Sequence, residues 1–83
     1  MKKQKMYLGD MLDAGIEYID FQRVINKKTG VKGWRYILEK PLTEKQIAII
    51  NSFKNTVISS CQYRYAPEIK HDTLIILDKV VIA

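Results

Sequence analysis

The spacing of apolar positions changes period along the chain, and each change predicts an element. Leu8, Met11, Leu12 and Ile16 fall at i, i+3, i+4 and i+8, one stripe of a short helix. Asp10 and Asp13 lie near its start, where the helix dipole favours carboxylates, and Gly15 is placed as a stop. A helix from about Gly9 to Ala14 is expected. The period then drops to two. Ile19 to Ile25 alternates apolar and polar residues, and Val31 to Leu38 is rich in aromatic and branched ones. The Asn- and Gly-bearing link from Asn26 to Gly30 joins them as a β-hairpin.

Pairing Asn26 with Val31 across four loop residues fixes the other partners as Ile25–Lys32, Val24–Gly33, Arg23–Trp34, Gln22–Arg35 and Phe21–Tyr36. One face then carries Phe21, Arg23, Ile25, Lys32, Trp34 and Tyr36. The other carries Asp20, Gln22, Val24, Gly33, Arg35 and Ile37. A slip of one residue would exchange these faces.

A capping box opens the next element. Thr43 can accept from the amide of Gln46 while Gln46 reaches back to the Thr43 amide, with Leu42 and Ile47 as a hydrophobic staple. The helix is expected from Glu44 to about Lys54, with Ile47, Ile50 and Phe53 facing the core. Asn55 and Thr56 end it. A strand follows from Thr56 to Tyr65, closed by Ala66, Pro67 and Glu68. A turn through Lys70, His71 and Asp72 leads into a strand from Thr73 to Leu77 that is apolar on both faces, as a central strand or one covered by a partner would be, and Val80 to Ala83 either continues it or adds an edge. The order α-β-β-α-β-β predicts an α+β domain, an antiparallel sheet of about four strands with two helices on one face.

The length, 83 residues, allows a single domain over 1–83 with a thin core, about 60–65% of the unfolded chain's surface being buried at this size. Residues 1–7, with Lys2, Lys3 and Lys5, read as a basic tail that frays in solvent. Cys61 is the one cysteine, which excludes an internal disulfide and a Cys-based zinc cluster. Asp10 and Asp13 interrupt the apolar stretch that a signal peptide would need, and no window approaches the roughly 18 apolar residues of a membrane span. A cytoplasmic protein without membrane contact is expected. Eleven lysines to three arginines, with twelve isoleucines, suggest an AT-rich genome of bacterial, phage or mobile-element type.

Charge changes the picture most. The chain carries +5 with a pI near 9.4. From Arg23 to Lys40 there are six basic residues and one acid, so this segment alone matches the net charge of the whole chain. Such a balance favours polyanionic partners, because lysines near phosphates release condensed counterions.

Catalytic constellations are sparse. Gly30 to Gly33 lacks the spacing and the following helix of a phosphate loop. Cys61 and His71 would need to meet before they could act as a dyad, and Glu68, His71 and Asp72 read as a solvated turn rather than a metal site. No enzyme, cofactor or metal is expected. The sharper candidate is a nucleic-acid surface of Arg23, Lys27, Lys28, Lys32, Trp34, Arg35, Tyr36 and Arg64, with Phe21 beside them. Cations that follow phosphates and rings that stack on bases are what single strands require. Against this, a small domain needs its aromatics inside; Phe21, Trp34 and Tyr36 would then be core, and the lysines a charged tip. Tyr63, Arg64 and Tyr65 form a second basic-aromatic cluster, expected beside the first. The leading expectation is a small basic accessory domain that contacts DNA or RNA, single strands included, through the hairpin. The alternative is a protein-interaction module, an adaptor or inhibitor that docks by the hairpin or an edge strand. A homodimer or partner would join it at the apolar run from Thr73 to Ile82.

Overall fold

The computed structural model describes residues 5–80 of the chain. Its elements are α1 (Leu8–Asp13), β1 (Tyr18–Ile25), β2 (Lys32–Leu38), α2 (Glu44–Asn51), β3 (Thr56–Tyr63) and β4 (Ala66–Leu77). The four strands form one antiparallel sheet in the order β1-β2-β4-β3. Met11 of α1 and Ile50 of α2 share one core cluster with Tyr36, Leu38, Leu74 and Ile76, so both helices cover the same sheet face. This is the expected α+β architecture.

Local chemistry sets the boundaries. The α1 helix ends in a Schellman motif: the Ile16 amide donates to the Met11 carbonyl and the Gly15 amide to that of Leu12. Gly15 sits at φ +76, where a side chain would strain the backbone. Thr43 and Gln46 form the reciprocal capping box at the start of α2. The helix stops at Asn51 rather than Lys54, because the Ser52 hydroxyl bonds the Ile49 carbonyl at 2.6 Å and the chain turns off.

Three expectations are corrected. The tail over residues 1–7 is anchored at Met6, which is fully buried and held by Asn55. Lys2 and Lys3 lie outside the described residues, as do Val81 to Ala83. The second hairpin turns at Arg64 and Tyr65, not through Lys70 to Asp72, and β4 runs unbroken from Ala66. Pro67 is tolerated because β4 pairs with β2 only from Thr73 to Leu77, so at Pro67 one side of the strand is free. Finally, Thr73–Leu77 is the central strand that its two apolar faces allowed, paired with β2 throughout and with β3 up to Ile76, so it offers no open edge for the docking expected there. Among the described residues the sheet edges are β1 and β3.

The face opposite the helices is tied together separately. The Tyr63 hydroxyl reaches from β3 to Asp20 of β1 at 2.8 Å, and His71 Nδ1 lies 3.2 Å from the Leu38 carbonyl. Ile37 and Thr73 on this face are buried, although both helices pack on the other.

Candidate nucleic-acid interface

The β1–β2 hairpin has the register read from its sequence, with Ile25 opposite Lys32, Arg23 opposite Trp34 and Phe21 opposite Tyr36. Its tip is held rather than loose. The Asn26 amide donates to the Val31 carbonyl, the Gly30 amide to that of Asn26, and the Asn26 Oδ1 accepts from Lys28 and Thr29. Gly30 takes φ +74 to close the turn. Lys27 and Lys28 are therefore exposed on an ordered platform, with exposed Lys32 at the base of the turn.

Next to them lies an aromatic group on the helix-bearing face. Tyr18 packs edge-on against Tyr36 at 5.0 Å between centroids, and Phe21 against Trp34 at 5.6 Å. The choice between core and surface resolves residue by residue. Tyr36 is 8% exposed and belongs to the core, whereas Trp34 is 36% and Phe21 51% exposed. Burial pushes the Tyr36 phenol above its ordinary pKa. The α1 helix covers Tyr36 but stops short of the strand edge. It leaves an open trough of about 180 Å³ lined by Leu8, Tyr18, Phe21, Trp34 and Tyr36.

Arg23 is the bridge between the rings and the charge. Its guanidinium lies 4.9 Å from the Trp34 ring centroid and donates to both oxygens of Asp78, at 3.1 and 2.5 Å. The shared hydrogen bonds hold the Asp78 carboxyl below its ordinary pKa and raise that of Arg23. Lys5 and Lys32 add to the positive field on Asp78. Arg23 thus sits over Trp34 with its charge paired to Asp78, and among the described residues Lys27, Lys28 and Lys32 have no ion-pair partner.

Two sequence-proposed residues are placed elsewhere. Arg35 points to the opposite face, since Gln22 and Arg35 pair on the rung between those of Phe21 and Arg23. Arg64 lies at the far end of the sheet, in the β3–β4 turn, where it stacks 4.9 Å from the centroid of Tyr65. The Tyr63–Arg64–Tyr65 cluster is therefore not beside the hairpin tip. Sequence reasoning missed Leu8, Tyr18, Lys5 and Asp78 as members of this site. Leu8 carried a helix-stripe signal, but nothing in the sequence announces a bond between Arg23 and Asp78, 55 residues apart. Cys61 and His71 do face each other across β3 and β4, with the thiol free and half-buried.

No protein-family model, curated protein or solved structure matches the chain. The class that fold and site define is a small α+β domain with a basic, aromatic-flanked hairpin. Among its described residues no helix is long and apolar enough to cross a membrane.

Proposed function

We propose that this domain binds nucleic acid, DNA or RNA, through the basic end of the β1–β2 hairpin, as an accessory module without catalytic activity of its own. The observation that supports it is the platform at that end: exposed Lys27, Lys28 and Lys32 on an Asn26-braced turn, beside the half-exposed rings of Phe21 and Trp34. Lysines so placed would gain affinity by releasing phosphate counterions, whatever the base sequence. Such a ligand would be met in the cytoplasm. Fluorescence anisotropy with labelled oligonucleotides across a salt series tests this. Binding should weaken steeply with salt, and replacing Lys27 and Lys28 with Ala should lower the log–log slope by roughly 0.7–0.9 per lost contact. Salt-insensitive binding, or none, would contradict it.

One observation favours a second reading, a protein-interaction module of adaptor or inhibitor type. Among the described residues the β1 strand is an edge whose exposed side chains include Ile19, Phe21 and Ile25, and its one arginine is engaged by Asp78. Strand addition there, by a partner or a second copy, would replace the C-terminal docking that the central position of β4 closes off. Concentration-dependent sedimentation of the wild type against Phe21→Lys separates self-association from a monomer.

A further inference from the structure

We propose that the trough between α1 and the β1–β2 hairpin is a base-binding subsite, so that the ligand of the basic end is single-stranded nucleic acid. This rests on the nucleic-acid reading above and adds to it a site and a strandedness. Among the described residues the trough is lined by Leu, Tyr, Phe and Trp side chains, drawn from α1, β1 and β2. Its rings are held in place: Tyr18 and Tyr36 lock edge to face at one end, Phe21 and Trp34 at the other. One face of Trp34 is taken by the Arg23 guanidinium, which Asp78 pins from the far side. Phe21, half-exposed at the strand edge, keeps ring surface open to solvent.

The charges stand at the right distance for a strand that crosses both features. Lys32 and Ile25 form the rung next to Arg23 and Trp34 on the same face, about 7 Å along the strand, and Lys27 and Lys28 follow at the tip. Phosphates following these lysines would bring a neighbouring base over the trough. A base inside a duplex has both flat faces covered by its neighbours, so only an unpaired one can offer a face to Phe21. Among the described residues the lining has no amide or carboxylate side chain with which to read base edges. Little sequence preference is therefore expected.

Two strands of equal length and charge test this: an oligothymidylate and its abasic deoxyribose-phosphate counterpart, titrated into the intact protein. Anisotropy gives affinity, and emission of Trp34, the chain's one tryptophan, reports on the trough. The base-bearing strand should bind at least about fivefold more tightly and change Trp34 emission, as one stacked base would produce. Phe21→Leu, which keeps the apolar bulk but removes the ring, should abolish that advantage. Val57→Ala, on the opposite face, should keep it. Equal affinity for the two strands would overturn the subsite while leaving the basic-end reading intact. No salt-sensitive binding of either would overturn both, and would hand the trough to an apolar side chain of a protein partner.

Discussion

Asn55 grips both backbone groups of Met6: its Oδ1 accepts from the Met6 amide at 2.6 Å, and its Nδ2 donates to the Met6 carbonyl at 3.0 Å. The same Nδ2 donates to the Leu77 carbonyl at 2.9 Å, so one buried amide joins the N-terminal segment to the end of β4. Met6 then inserts into the core beneath α1 and brings Lys5 and Leu8 to the rim of the aromatic site. Asn55→Ala should cost about 2–4 kcal/mol, because three backbone groups lose a partner in a buried setting. Urea unfolding measures it. A loss under about 1 kcal/mol would mean that water replaces the amide.

Gly33 is needed for space, not for a phosphate loop. A Cβ there would come within 2.9 Å of the Ile76 carbonyl oxygen and 3.1 Å of the Leu77 Cα, both backbone atoms of the neighbouring strand. Gly33→Ala should destabilise the sheet by about 1–3 kcal/mol, as overpacking does. Gly30→Ala should also destabilise, through its positive φ rather than through contact, since nothing lies within 4 Å of the added carbon. Thermal melts of the two variants check both.

The α2 cap joins the two helices. Gln46 accepts from the Thr43 amide and also donates to the Ala14 carbonyl at 3.2 Å, behind the end of α1. Thr43→Ala should cost about 0.5–2 kcal/mol. Gln46→Ala should cost at least as much, having lost a second bond. Equal or smaller destabilisation in Gln46→Ala than in an exposed control such as Lys45→Ala would remove the link.

Alkaline pH should loosen the helix-free face. The hydrogen bond to Asp20, followed by desolvation, raises the Tyr63 phenol above its ordinary pKa. A raised folded-state pKa stabilises the protonated form. That stability is complete below the unfolded value, about 10 for Tyr, and is lost as pH rises through the folded one. Wild type should therefore lose stability above about pH 10 more steeply than Tyr63→Phe, which lacks the titrating hydroxyl. Parallel curves would show that the Asp20 bond does not bear on stability.

The hairpin and both helix caps were legible in the sequence because their determinants are local. Asn26 and Gly30 define one turn, pairing Asn26 with Val31 across it gives the register that β1 and β2 adopt, and Thr43 with Gln46 states a helix start. What escaped was non-local. Pro67 reads as a strand breaker, and would be one in a strand paired on both sides; β4 overhangs β2 there, which only the sheet order reveals. Asn55 reads as a helix terminator until Met6 is seen against it. The candidate site was half legible: Lys32 and Trp34 share a face as alternation implies, and Lys27 and Lys28 sit at the turn that Asn26 and Gly30 mark. Arg35 alternates away, Arg64 belongs to the distant turn, and the pairing of Arg23 with Asp78 depends on the β2–β4 contact.

The most direct measurement is an amide chemical-shift map of the protein titrated with an oligothymidylate at low salt. Shifts should be concentrated from Phe21 to Trp34 and at the Trp34 indole and reversed by added salt, with β3 and the Arg64–Tyr65 turn unchanged. An unperturbed spectrum, or shifts centred on Val57, Ser59 and Cys61, would contradict it.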